Sequence, residues 1–379
     1  MQPLRTRRLV LTRLGGLAAA LGAPALHAQE RGRIVLGQSA ALTGAAAQLG
    51  LQFQAGARLY FSRVNSRGGG IGGRPIELKS LDDGYEPDRC ARNTRTLVAE
   101  EVLALFGYIG TPTSVAALPL ASEARVPFLF PFTGAQVLRV PFNRYAFHVR
   151  ASYYEETARI VEHLFSVGMK NIAVFHQNDS YGQAGLTGVQ RALTRQNSAP
   201  VATGTVERNS VDVAAAVKAI VPARPEAVVQ ISAYKSCAAF VREARKAGFG
   251  GQFYNVSFVG TAALATELGA DARGVVVSQV MPFPFAPLTP VAGEFLQAAA
   301  GANVDVNYSS MEGFVAAKTL VEALRRIGRE ITREALIAAL EGLRDHNLGG
   351  FTVDFGPNKH VGSSFVDLTI LSADGKVRR

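Results

Sequence analysis

Cysteine is scarce: Cys90 and Cys237 are the only two in 379 residues. They lie far apart, each in a helix-like segment, and a chain of this length does not need staples to close a core. No disulfide is therefore expected. Long apolar runs are also missing. No segment after the first thirty residues carries the ~20 apolar residues that a membrane-spanning helix requires. The six histidines (His27, His148, His163, His176, His346 and His360) never pair with one another or with cysteine at metal-ligand spacing, so no metal and no cofactor is expected. No basic run interleaves with aromatics and no helical stretch carries a basic stripe, which argues against nucleic acid as a partner. GxSxG and HExxH are both lacking, as are low-complexity tracts and long polar linkers.

What is present suits two domains of ordinary size. Hydrophobic residues make up 48% and charged residues 18%, enough apolar material for real cores. The first 28 residues stand apart. They combine a basic start (Arg5, Arg7, Arg8, Arg13), a short stretch of small residues and Leu, and "APALHA". This is the layout of a secretory signal, with cleavage after Ala28 or Ala25 by either the Sec or the twin-arginine route. The formal net charge is +10; residues 1–28 hold four Arg and no acid, which leaves +6 spread over the rest of the chain.

Strand-like runs then alternate with amphipathic helical patterns: "RIVLGQSAAL" before "AQLGLQFQAGARLYFSRVNS", "PIELKSLDD" before "EPDRCARNTRTLVAEE", "VLALFGYIG" before "TSVAALPLASEA". The cycle restarts after "RYAFHVRAS", with "NIAVFHQND" and "EAVVQISAY" as its central strands. This is the rhythm of βαβ units, repeated twice, and the strands' lack of alternation predicts parallel sheets covered on both faces. Two helices follow from Val304 onward, the second capped by Thr332 near Ala335, and the tail reads as two strands around a turn at 373–375. Crossings between the two α/β units are expected near Phe147–Ala151, Val280–Phe283 and Val361–Ser364.

Two motifs suggest chemistry. "RGGGIGGRP" contains GxGxxG as Gly68, Gly70 and Gly73, but it follows a helix and precedes a strand. That reverses the order a dinucleotide site needs, so a helix stop and turn is expected. "HQNDSYGQAG" holds His176, Asp179 and Ser180, yet residues this close at a strand-to-helix turn are badly placed to aim at one another as a triad. Asp179 and Ser180 are better read as helix caps and His176 as a strand end. No catalytic residue is assigned. Open α/β sheets bind ligands beyond the carboxyl ends of their strands. Those ends offer Thr111 and Thr113, Thr133 with Ala135, Tyr181, and Ser232 with Tyr234. Hydroxyls and free N–H groups can seat a carboxylate; equally, the same residues serve as caps and turns, and spacing alone does not separate the readings.

Taken in order, "IVLGQSAALTGAAAQLG", "GRPIELKSLDDGYEPDRC", "FGYIGTPTS", "PFLFPFTGA" and "AVFHQNDSYGQAG" resemble the type I periplasmic solute-binding proteins of ABC importers, in particular the leucine/isoleucine/valine-binding group. The resemblance spans the chain after the signal. It implies two Rossmann-like lobes, 31–148 with 281–361 and 149–280 with 362–379, hinged by three crossings around a central cleft. It further implies a periplasmic, non-enzymatic protein that closes on a small solute and delivers it to an inner-membrane permease and its ATPase. A ligand sensor of the same fold, presenting its bound state to a receptor or regulator, is the alternative. By the same resemblance Thr111, Thr133 and Ala135 hold a ligand carboxylate and amine. Leu49 stands where relatives often place an aromatic, and Tyr181 and Tyr234 contribute from the second lobe. Ser257 occupies the place of the acid that pairs with a ligand ammonium in amino-acid binders. With no acid in "YNVSFVGT", a buried ammonium would lack its partner at a cost of several kcal/mol. A ligand without an α-amine is expected, unless Asp179 turns inward to substitute.

Overall fold

The computed structural model describes residues 32–379; the expected signal over 1–28 lies outside the described residues. The first run of elements is β1 (Ile34–Ala40), α1 (Ala47–Gly68), β2 (Ile76–Asp82), α2 (Pro87–Ala99), β3 (Ala104–Phe106), α3 (Thr111–Glu123), β4 (Phe128–Leu129) and β5 (Ala146–Phe147). The second is α4 (Tyr153–Ser166), β6 (Ile172–Gln177), α5 (Ser180–Thr194), β7 (Thr203–Val206), α6 (Ala214–Ile220), β8 (Ala227–Ile231), α7 (Tyr234–Lys246), β9 (Gln252–Asn255), α8 (Thr261–Leu268) and β10 (Val276–Gln279). The remainder holds α9 (Pro290–Ala299), α10 (Tyr308–Arg326), α11 (Arg333–Glu341), β11 (His346–Asn347), β12 (Thr352–Val353), β13 (Asp367–Leu371) and β14 (Val377–Arg378).

The strands form two main sheets. The first runs β2-β1-β3-β4-β5 and is parallel throughout. The second runs β14-β13-β10-β9-β8-β6-β7. Its members from β6 to β10 pair in parallel, while β13 and β14 add an antiparallel edge. Numbered within each run, both sheets share the 2-1-3-4-5 order of doubly wound folds. The α/β class with parallel sheets expected from the βαβ rhythm is therefore the class observed. Helices on both faces explain why every residue of β6 and β8 is buried.

The chain passes between the sheets three times. It leaves the first after Phe147 and enters α4. After Gln279 it leaves the second, and α10 packs back onto α1. Close approach there depends on Gly56 and Gly313: a Cβ on either would overlap the backbone of Ser310 or Phe53. The last passage returns the chain to β13. The first and last run side by side, because the His148 N–H donates to the His360 carbonyl and the Gly362 N–H to that of His148, both at 2.8 Å.

Local signals explain the boundaries. Gly69, left-handed at φ 65°, ends α1, and Ile71 and Arg74 then exchange backbone hydrogen bonds of 2.9 and 3.0 Å in a turn before β2. The glycine run is thus a helix stop. Thr332 accepts from the Ala335 N–H at 3.1 Å at the start of α11. Capping boxes open α4 (Ser152 with Glu155) and α10 (Asn307 with Ser310). Cys90 and Cys237 are free, buried thiols on α2 and α7.

Candidate functional site

The carboxyl ends of the two sheets' strands face each other, and the residues named from the sequence lie there. Gly110, at φ 92°, turns the chain out of β3 into α3, and a Cβ there would collide with the Tyr85 ring. Thr111 opens that helix. Its hydroxyl lies 2.6 Å from the Thr133 hydroxyl on the loop after β4. The Ala135 N–H donates to Thr133 Oγ1 at 3.2 Å, and the Thr133 hydroxyl donates to Tyr153 Oη at 3.3 Å. The Thr111 hydroxyl and the Ala135 N–H therefore converge on the Thr133 hydroxyl; here these groups satisfy one another, and they are donors that an entering anionic oxygen can take over.

The second sheet supplies a ring wall. Tyr181, in the first turn of α5, lies tilted by 48° against Tyr153 with centroids 5.4 Å apart and meets Phe258 edge-on at 4.7 Å. Phe258 also approaches Phe132 (5.6 Å) and Tyr85 (5.9 Å) from the first sheet. Leu49 packs on Gly260, where a Cβ would collide with its side chain. Tyr234 Oη accepts from the Gln48 N–H at 3.4 Å, linking the starts of α7 and α1. Leu49, Thr111, Thr133, Ala135, Tyr181 and Phe258 are all fully buried: the two halves are closed on each other. Burial pushes the Tyr181 phenol well above its ordinary pKa. Three hydroxyls at these strand ends, Ser114 Oγ, Tyr181 Oη and Ser232 Oγ, are buried with no partner. Such groups are costly unless something satisfies them.

Ser257 is held by an acid that lies elsewhere in sequence. Its N–H donates to Glu156 Oε2 at 2.7 Å and its hydroxyl to Glu156 Oε1 at 3.0 Å; Ser278 donates to Oε2 at 2.6 Å. Arg150 completes the cluster through Glu156 (3.3 Å), Glu312 on α10 (3.4 Å) and the Ser257 hydroxyl. Burial pushes the Glu312 carboxyl up to about 7, with Arg150 opposing. Sequence reasoning missed Glu156, Glu312 and Arg150. A signal was present for Glu156: it sits on the buried stripe of α4 with Tyr153, Thr157, Ile160 and Leu164, where an apolar residue belongs.

Asp179 does not turn inward to take the missing acid's role. Its carboxylate caps α5 through the Tyr181 N–H (2.9 Å), accepts from Gln177 (2.6 Å) and pairs with Arg208 (3.4 Å). His176 points Nδ1 at the Gln177 carbonyl, 3.2 Å away. Neither arrangement aims at a nucleophile. The rim is tied across the two halves. Arg208 reaches Glu86 (3.0 Å), Asn209 reaches Glu86 (2.8 Å) and the Gly84 carbonyl (3.2 Å), and Gln177 reaches Tyr85 Oη (3.3 Å).

Two doubly wound sheets with facing strand ends are the architecture on which the comparisons converge. The profile of the family described as periplasmic binding protein matches residues 33–376. The chain belongs to that family. Within it the chain is a type I, Leu/Ile/Val-binding-protein-like member. A possible leucine/isoleucine/valine-binding protein from Rhodopirellula baltica SH 1 is 36% identical with a TM-score of 0.87, over 91% of this chain and 95% of its own. A substrate-binding periplasmic protein from Ralstonia solanacearum is 35% identical with a TM-score of 0.86, over 91% and 99%. An amino acid binding protein of Pseudomonas aeruginosa is 27% identical over 252 residues, 65% of this chain and 66% of that protein. The family is a solute-binding, non-catalytic class, and no helix among the described residues is long and apolar enough to cross a membrane.

Proposed function

We propose that this chain is the periplasmic, signal-exported capture subunit of an ABC importer. It closes residues 31–148 with 281–361 onto residues 149–280 with 362–379 around a small solute, and hands that solute to an inner-membrane permease driven by its ATPase. The crossings near Phe147–Ala151, Val280–Phe283 and Val361–Ser364 act as the hinges. The observation that carries this reading is the facing of the Thr111, Thr133 and Ala135 seat with the Tyr181 and Tyr234 wall across a closed interface. Ligand contacts from both sides favour the closed state over the open one, which is how binding becomes a signal the permease can read.

The solute is a small carboxylate or amide without an α-amine. The carboxylate at Ser257 belongs to Glu156, whose two oxygens already accept from Ser257, Ser278 and Arg150. A ligand ammonium there would have to break those bonds. A thermal-shift screen tests both parts. A ligand at about 100 times its dissociation constant adds roughly 2.7 kcal/mol of stability. Strong stabilisation by leucine or valine would sink the no-amine assignment; no response to any amino acid, carboxylate or amide would sink the capture role.

A further inference from the structure

The Phe258 side chain is the feature the seat and the wall leave unexplained. We infer that its ring is a built-in occupant of the place a ligand ring takes, and that the solute is an aromatic carboxylate. This rests on the capture role proposed above.

Phe258 belongs to a short turn, Ser257–Val259, at the end of β9 in the second sheet. Its ring does not pack within its own half alone. It reaches between Tyr85 and Phe132 of the first half while Tyr181 closes on it from the second, with centroids at 5.9, 5.6 and 4.7 Å. An aromatic slot built from both halves is thus filled by an aromatic side chain of the protein. The rings around it present edges and faces at the separations that aromatic pairs prefer. The turn is pinned at one end, where Glu156 holds the Ser257 N–H and hydroxyl. At the other end Gly260 takes φ 76°, a conformation only glycine adopts freely. When the halves part, Tyr85 and Phe132 leave with the first sheet. Rotation of one side chain then frees the slot.

The polar end of the slot sets the rest of the chemistry. The Thr111 and Thr133 hydroxyls lie 2.6 Å apart, and Arg150 sits 5.0 Å over the face of Phe132. Arg150 Nε is fully buried and has no partner. Arg139, also buried, donates to the Ala135 carbonyl at 3.0 Å, occupying an acceptor that an ammonium group would use. Arg150 is matched by Glu156 and Glu312, whereas Arg139 donates to the carbonyls of Ala135, Arg150 and Ala151; its buried guanidinium beside the seat repels a ligand cation and attracts a carboxylate. A flat ring with an anionic end, as in benzoate, matches this layout; tyrosine hydroxyls such as the unpartnered Tyr181 Oη can address a ring substituent.

A self-occupied slot lowers apparent affinity by the fraction of time it is filled. Removing the ring should therefore tighten binding, whereas removing a wall residue should weaken it. Benzoate is the probe, with leucine and valine as ring-free comparators. Wild-type protein should gain thermal stability with benzoate. Phe258→Ala should bind it about tenfold tighter by calorimetry. Phe258→Leu keeps most of the buried volume and should show the same direction with native circular dichroism. The chain has no tryptophan, so Phe258→Trp makes a single reporter, whose emission should move to the red as benzoate displaces the indole. Weaker benzoate binding in the Ala and Leu variants, or unchanged tryptophan emission while benzoate raises the melting temperature, overturns the displacement. Stabilisation of the wild type by leucine or valine but not benzoate overturns the aromatic assignment and leaves solute capture standing. No stabilisation by any of the three, in wild type or variants, overturns the inference; the wider amino-acid, carboxylate and amide screen then judges the capture role separately.

Discussion

The buried hydroxyl of Tyr181 offers the cleanest single-residue test of the site. Replacing the whole side chain by alanine would empty a packed position between Tyr153 and Phe258 and destabilise the fold by about 3–5 kcal/mol. Tyr181→Phe removes only an oxygen that has no partner in the protein. It should leave chemical-denaturation stability unchanged or slightly higher, and weaken ligand binding by calorimetry; unchanged affinity would remove that oxygen from the ligand's contacts. Glu312 gives a second residue-scale prediction. Burial raises its carboxyl from 4.5 to about 7, so between those values the folded chain keeps a proton that the unfolded chain has released. Stability then falls as pH rises through this window and levels off above it. Glu312→Gln should flatten that decline, by up to about 1.4 kcal/mol per pH unit, in urea titrations across the same range.

At the scale of elements, the rim ties and the helix caps make separable predictions. Arg208 joins Glu86, beside α2, to Asp179, the cap of α5. It is partly exposed, so its contribution is salt-sensitive. Arg208→Ala should speed ligand release several-fold in stopped-flow at low salt, with the difference from wild type shrinking at about 1 M salt. Asn307 caps α10, the helix that carries Glu312 and packs on α1. Asn307→Ala should cost about 1 kcal/mol, read as a shifted urea midpoint with unchanged slope. Caps such as Asp179 and Thr332 were legible in sequence because capping is a local geometry, decided within four residues. The Glu156–Ser257 contact was not. It joins α4 to the end of β9 across 101 residues, and no local pattern says which strand end a buried carboxylate will meet.

For the molecule as a whole, the prediction is closure. Small-angle scattering should show a smaller radius of gyration with a stabilising ligand than without one, and the change should persist in Tyr181→Phe at saturating ligand. The fold class was readable because the alternation of apolar strands with amphipathic helices repeats on the scale of a βαβ unit, and that unit admits few arrangements. The β13–β14 pair was readable from its turn at 373–375; that β13 joins β10 antiparallel at the edge of the second sheet was not, because a short strand carries no mark of a distant neighbour. The strand ends were legible too, since doubly wound sheets present them on one side. That Phe258 fills the space between Tyr85, Phe132 and Tyr181 was beyond a sequence reading, which had passed over this residue.

Periodicity, caps and turn residues act over a few positions, and by themselves they determined the two α/β runs, the absence of a dinucleotide turn at Gly68–Gly73 and the strand-end loops where Thr111, Thr133 and Tyr181 stand. Long-range packing decided what those loops meet. It brought Glu156, Arg150 and Glu312 into one buried cluster at Ser257, committed Asp179 to its helix cap, and set the Phe258 ring between the two halves. Burial is the physical reason for the division: a charge or a ring acquires its energy from the neighbours that exclude water, and those neighbours are assembled only when the sheets face each other.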